Sequence, residues 1–417
     1  MIRKYEIVNV NARQVFNSRG DPTIACTVKV GKGEGTAIIP SGASTGKYEA
    51  LELLDGGKEY DGKGVTQAIA NIETMIASAV QGMDVREQGE IDRELNNLDG
   101  TPDKSHLGAN ATTAVSLACC RAAANVKGVE LYEHISHISH QWEHKVPVPF
   151  FNVINGGVHA GNKLDVQEFL ISPKTKDFSE AMKIGVEVYH HLKKVIEKKY
   201  GRKAINVGDE GGFAPPLNRT RSALNLIMDA IKDCGYEDQT YISLDVAASE
   251  IYKSKQYHID GKKLGKKKLL EFYKSLINKY PIINIEDGFE QEDFVGFAQL
   301  TEETDVQVTG DDLFVTKSDR IKRGVQKRAC NALLLKVNQI GTLSEAIDAA
   351  RMAQQAGYRV MVSHRSGETS DPFIADLAVG LGAEQIKSGA PCRSERLAKY
   401  NRLLEIEKLD VPYIGWF

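Results

Sequence analysis

Seven apolar runs in the second half of the chain each lead into ionisable side chains. They are Asp209 and Glu210 in AINVGDEGG, Asp245 in YISLDVAAS, Glu286 and Asp287 in IINIEDGF, and Asp311 and Asp312 in VQVTGDDLF. Lys336 follows in ALLLKVNQIG, His364 and Arg365 in RVMVSHRSG, and Lys387 in EQIKSGAP. A buried strand that merely surfaces usually does so into Gly, Ser or Asn turns, so seven charged endings point to a shared site. Asp245, Glu286 and Asp311 come from three successive runs. Carboxylates brought that close repel unless a cation sits among them, and an all-oxygen set selects Mg²⁺ or a similarly hard ion. Lys336 is the candidate general base, its pKa expected to fall between a metal and other cations. Arg365 and Ser366 offer a planar fork and a hydroxyl for a phosphate or carboxylate. Glu210, expected across the barrel from Lys336, would place an acid on the opposite face of a bound substrate, the layout of an anti elimination.

The stretch SGASTGK (residues 41–47) has the flavour of a phosphate-binding P-loop but fails its spacing. Only three residues separate Gly42 from Gly46, and Tyr48 stands where a Mg²⁺-binding hydroxyl is needed. A polar segment that covers a ligand is the better expectation.

These side chains must be positioned by a scaffold, and the chain divides into two regimes. Residues up to about 40 alternate in short runs, TIACTVKV and GTAIIP among them, which predicts a small antiparallel sheet. Helical periodicity takes over from about Lys63 to His137. After Pro147 and Pro149, strands alternate with long amphipathic helices, which predicts parallel βα units closing into an eight-stranded TIM-like α/β barrel. The expected division is an N-terminal α+β capping domain over 1–139 and a barrel over 140–417, with the site at the strand C-terminal ends.

Composition excludes several function classes. Lys and Arg total 53 against 56 Asp and Glu, for a net charge of −3, so no global field favours nucleic acid or an anionic membrane. Six cysteines without C-x-x-C spacing read as core thiols of a reducing compartment. No leader or membrane span is apparent, and a cytoplasmic location is expected. HISHISHQWEH places four histidines at helical spacing, but without carboxylate support it reads as a solvated helix end. RIKRGVQKRAC and GKKKLLEFYK read as wet helix faces.

The stretches SGASTG, NVINGGVHAGNKLDVQEFLISP, NVGDEGGFAP, SLDVAASE, NIEDGF, VTGDDLFVT, LLLKVNQIGTLSEA, VSHRSGETSD and IKSGAPCRSERLAKYN span nearly the whole chain. Together they resemble the enolase family, the Mg²⁺-dependent phosphopyruvate hydratases. The resemblance implies reversible dehydration of 2-phosphoglycerate to phosphoenolpyruvate, two Mg²⁺ per active site and assembly as a homodimer or octamer. It implies that Asp245, Glu286 and Asp311 hold one Mg²⁺ and Ser44 a second, beneath a closing SGASTG lid. Lys336 is implied as the base and Glu210, supported by Glu168, as the acid. His159, Gln167, Glu168, His364, Arg365, Ser366 and Lys387 are implied as substrate contacts. Departures are Gly288 in IEDGF, NSRGDP in place of DSRGNP, and Lys47-Tyr48 after the lid; Gly288 is expected to loosen the backbone after Glu286. A racemase or cycloisomerase of the same superfamily would not carry SGASTG and SHRSGETSD together. A non-catalytic scaffold would have been favoured by loss of Lys336, Glu210 or a metal carboxylate, and all are present.

Overall fold

The computed structural model describes residues 4–42 and 46–415. The alternating N-terminal runs form an antiparallel sheet of β1 (Ile7–Phe16), β2 (Pro22–Val30) and β3 (Gly33–Ile38). Helices α1 (Thr66–Asn71) and α2 (Ala77–Val80) flank a π-helical turn at Ile72–Ile76. Then come α3 (Gln88–Asp99), α4 (Ala109–Lys127) and α5 (Leu131–Ser139). The alanine-rich α4 is buried along almost its whole length and packs against β2 and β3. A Cβ on Gly35 would lie 2.2 Å from the Ala122 amide nitrogen, so only glycine lets β3 touch the α4 backbone.

Eight strands close a barrel in the order β10-β11-β12-β13-β14-β4-β5-β6. They are β4 (Val148–Asn155), β5 (Glu168–Pro173), β6 (Thr240–Asp245), β10 (Ile282–Glu286), β11 (Gln307–Gly310), β12 (Ala332–Leu335), β13 (Arg359–Ser363) and β14 (Gln385–Lys387). The short strands β7 (Tyr252–Lys253), β8 (Gln256–Ile259) and β9 (Lys262–Leu264) form a separate sheet. Outside the barrel run α6 (Phe178–Tyr200), α7 (Thr220–Cys234), α8 (Lys266–Ile277), α9 (Phe294–Glu303) and α10 (Ser318–Lys327). They are followed by α11 (Leu343–Gln355), α12 (Phe373–Gly380) and α13 (Ser394–Glu407). Strands such as β11 and β12 are buried at every residue, as parallel strands sheathed by helices must be.

The barrel departs from the all-parallel expectation in one strand: β5 pairs antiparallel with both β4 and β6. The β4–β5 connection (156–167) contains only one short 3-10 turn, too little for the helical crossover that parallel neighbours require. Two long helices, α6 and α7, then separate β5 from β6. An even number of helix traverses returns the chain to the end where β5 finished, so β6 runs opposite to it. AINVGDEGG, expected as a barrel strand, is instead part of the α6–α7 loop, and QEFLISP supplies the strand.

The N-terminal unit is fastened to the barrel by buried polar contacts. Arg121 of α4 grips Asp371 bidentately at 2.7 and 2.9 Å, and Asp371 also accepts from the Ile38 amide at 2.8 Å. Asp92 of α3 accepts from the Ser344 amide and hydroxyl at the start of α11. Burial pushes the Asp371 carboxyl up, but the Arg121 charge and hydrogen bonds outweigh it and hold it below the usual value. Asp371→Ala strands a largely buried guanidinium, and urea unfolding at pH 7 is expected to show a loss of about 3–5 kcal/mol. A depressed folded pKa contributes stability above the unfolded value, about 3.9, and loses it as pH falls through the folded one. The gap between wild type and variant is therefore expected to narrow below about pH 4.

Candidate active site

The strand topology lays three carboxylates side by side at the barrel mouth. Asp245 ends β6 and pairs in register with Glu286, which ends β10, on one side and with Glu168 on the other. Because β5 is reversed, Glu168 is the first residue of its strand and still opens at the mouth. Lys387 at the end of β14 reaches across the barrel to all three, at 3.2 Å from Glu168, 3.1 Å from Asp245 and 2.8 Å from Glu286. Lys336, just beyond β12, lies 2.5 Å from Asp311, just beyond β11.

All of these groups except Glu286 line one small, polar cavity together with Gly42, His159, Gln167, Glu210, Ser363, His364, Arg365 and Ser366. Of the expected site residues, Glu286 touches it through Lys387, and Ser44 lies outside the described residues with the rest of 43–45. Glu210 reaches the cavity from the α6–α7 loop, which the reversal of β5 brings to the mouth. There it accepts from the Asn152 amide at 2.9 Å and sits 3.5 Å from His159 and 3.6 Å from His364.

The two flanks of the cavity are ionised differently. Burial pushes Glu168 well above the usual carboxylate range, and the neighbouring Glu210 charge adds to it. Burial also acts on Glu210, but His364, His159 and Arg396 outweigh it and hold Glu210 well below that range. His364 is driven down by burial; its Nδ1 faces Arg396 at 2.5 Å. On the other flank, the lowered pKa expected of Lys336 presupposes a bound metal ion. Burial lowers it, but among the chain's own groups the Asp311 carboxylate prevails and raises it.

The mouth also accounts for a hard cation. Burial and the adjacent Asp245 charge push Glu286 far above its ordinary value, the mark of more carboxylates than Lys336 and Lys387 balance. An all-oxygen donor set of this kind fits Mg²⁺. Asp287, Asp311 and Asp312 approach one another more closely, within 4.8 Å, but both Asp287 oxygens are taken by the Asp311 and Asp312 amides, at 3.0 and 2.7 Å. Asp287 therefore shapes the turn. Buried polar atoms without hydrogen-bond partners among the described residues cluster on the opposite wall: both His159 ring nitrogens, the Gln167 Oε1 and the His364 Nε2. Such atoms are costly unless a polar ligand meets them.

Several contributing residues carried no legible signal. Arg19, in the NSRGDP turn, donates to the Ser366 hydroxyl at 3.2 Å and the Gly42 carbonyl at 3.2 Å. Asn17 shapes that turn through its Oδ1 and donates to the Ser41 hydroxyl at 2.7 Å. Glu49 pairs with Arg365, and Gln339 binds Asp311 at 2.8 Å. Only a long-range fold places these beside the strand ends.

The departures have local explanations. The Gly288 backbone is not loosened: the Tyr273 hydroxyl donates to its carbonyl at 2.7 Å, and a Cβ there would press on Ile285 and Leu300 at 3.1 Å. Tyr48 lies under the Arg320 guanidinium, 4.3 Å from its ring centre, and the Lys47 amide donates to Gln291 at 2.9 Å. Arg320 thus turns inward and is not part of a wet face. In HISHISHQWEH, His134 is buried near Lys127 and its imidazole is held down to about 4, by burial first and Lys127 second. His144 and His137 pack edge-on against Tyr132 and Trp142.

A closed barrel capped by an N-terminal sheet-and-helix unit agrees with the family models that match this chain. The family model for the enolase N-terminal domain matches residues 7–135, and that for the enolase C-terminal TIM barrel domain matches residues 143–411. The enolase of Methanocaldococcus jannaschii is 54% identical over 410 residues, covering 98% of this chain and 96% of its own length. That of Pyrococcus furiosus is 54% identical over 415 residues, with 98% and 96% covered. Enolase 2 of Hevea brasiliensis is 53% identical over 421 residues, with 96% and 95% covered. Identity this high and this evenly spread leaves one conclusion: the chain belongs to the enolase family.

Proposed function

We propose that Lys336 and Glu210 act from opposite flanks of the substrate in the reversible dehydration of 2-phosphoglycerate to phosphoenolpyruvate, the reaction of this hydro-lyase family. The observation that carries the reading is the single cavity that holds Lys336 on one flank and the Glu168–Glu210 pair on the other. Lys336 removes the C2 proton, and its primary amine must first be freed from Asp311, the contact that keeps it protonated. Glu210 and Glu168 hold one proton between them, since two buried carboxylates beside one another do not both ionise at low cost. That proton goes to the departing C3 hydroxyl. His159, Gln167 and His364 supply polar atoms toward the substrate, while Arg365, Ser366 and Lys387 supply the charge and hydroxyl that suit its anionic groups.

Asp245, Glu286 and Asp311 would hold one Mg²⁺ and Ser44 a second. Bound there, the ions contribute positive charge that offsets the extra negative charge gathering on the substrate carboxylate. The family resemblance also supports a homodimer or octamer in the cytoplasm, with the substrate as the partner and neither nucleic acid nor a membrane involved. No helix among the described residues is long and apolar enough to cross a membrane. The capping unit is assigned to 1–139 and the barrel to 140–417, since α5 ends at Ser139 and β4 begins at Val148.

The two roles separate experimentally. Ultraviolet absorbance of the enol product, followed with 2-phosphoglycerate and Mg²⁺, is expected to fall about 10²- to 10⁴-fold in Lys336→Ala and in Glu210→Gln. Exchange of the C2 proton with solvent, read by NMR, should vanish in Lys336→Ala and survive in Glu210→Gln. Loss of exchange in both variants would remove the division of labour. Thermal unfolding tests the ion site: Mg²⁺ at about 100 times its Kd is expected to stabilise the wild type by about 2.7 kcal/mol, reversibly with chelator. Asp245→Asn should show a much smaller rise.

A further inference from the structure

The Arg365 guanidinium, suited to an anionic group of the substrate, already has an anion on it. Arg365 is almost wholly buried, and its Nη1 donates to Glu49 Oε2 at 2.9 Å and to Asn338 Oδ1 at 3.1 Å. Glu49 is buried as well and belongs to the capping unit, 316 positions away in sequence. Its other oxygen accepts from the Gly46 amide at 2.9 Å and from Gln339 Nε2 at 3.3 Å. The same Gln339 nitrogen donates to Asp311 at 2.8 Å, and the Thr316 hydroxyl, which bonds Gln339 Oε1, accepts from the Lys336 amide at 3.0 Å.

A buried guanidinium without a counter-charge is strongly unfavourable, so some anion must accompany Arg365 at every stage of turnover. The carboxylate of Glu49 meets that need before substrate arrives. A phosphate dianion reaching the same planar fork brings two further negative charges beside a buried carboxylate, and like charges at such separations repel. We propose that Glu49 is a specificity-determining positioning residue, an internal counter-anion that competes with the substrate's phosphate for Arg365 and so sets how tightly that group is held. The inference rests on the proposed role of Arg365 toward the substrate's anionic groups and gives it the phosphate among them. Through Gln339 the same carboxylate adjoins the Asp311–Lys336 pair, so occupancy of the phosphate position is felt where the proton is removed.

Glu49→Gln keeps the shape and removes the charge. Inorganic phosphate, used as a competitive inhibitor, is expected to bind on the order of tenfold more tightly to the variant, with a parallel fall in KM for 2-phosphoglycerate. In an Arg365→Gln background the effect of Glu49→Gln should disappear. A merely structural Glu49 would give unchanged or weaker phosphate inhibition in the single variant while Arg365→Gln still weakened it, and that overturns the inference but leaves the function intact. Phosphate inhibition unaffected by Arg365→Gln would overturn the assignment of Arg365 and the inference with it. Should circular dichroism find Glu49→Gln unfolded, Glu49→Asp serves instead. It retains the charge one methylene short of Arg365, and unchanged phosphate affinity there would also overturn the inference.

Discussion

Everything at the barrel mouth depends on the crowding of buried carboxylates around two ammonium groups. Glu168, Asp245 and Glu286 share Lys387, while Asp311 takes Lys336. No arrangement of hydrophobic residues would tolerate this charge unpaired, so the site exists only because each anion has a cation or an amide in reach. The raised pKa of Glu286 and the depressed pKa of Asp311 are two results of one contest: burial disfavours charge, Lys336 restores it for Asp311, and Lys387, shared among three carboxylates, does not outweigh burial and Asp245 at Glu286. A divalent ion held by Asp245, Glu286 and Asp311 would supply positive charge that favours their ionised forms.

The reversal of β5 is what makes the second flank possible. In an all-parallel barrel each strand offers its last residue to the mouth, and the carboxylates of the second flank would have to come from such positions. Here a strand offers its first residue, Glu168, and the paired helices α6 and α7 carry the loop with Glu210 over the same opening. Asn152 of β4, from the adjoining strand, then fixes one Glu210 oxygen. Two carboxylates meet because of connection lengths and helix parity, not because of any local signal around either residue.

The N-terminal unit completes the site as well as covering it. Ser41 is bridged to Gly367 by reciprocal backbone hydrogen bonds at 2.8 and 2.9 Å, Arg19 reaches Ser366, and Glu49 reaches Arg365. The segment that carries Arg365 and Ser366 is thus held from above by the cap and from below by Arg396, which donates to the Arg365 and Ser366 carbonyls at 2.7 and 2.6 Å. Arg396 is fully buried at the start of α13, a large cost that this set of acceptors offsets. Docking of the two units is therefore a condition for the anion-binding groups to stand in place.

By itself the sequence determined the sheet-and-helix cap, six of the barrel strands and the charged residues at their ends, Asp245, Glu286, Asp311, Lys336, Arg365 and Lys387. Those features are written in local periodicity and in the residue that follows each apolar run, which depend on few neighbours. Glu168 and His159 were legible through family resemblance alone, and Glu210 was placed on a strand that is a loop. Tertiary structure decided the direction of β5, the pairing of Glu49 with Arg365, the inward turn of Arg320 and the ionisation of Lys336. Each is settled by distances between residues far apart in the chain, and a Coulomb interaction depends on separation in space, which sequence spacing does not encode.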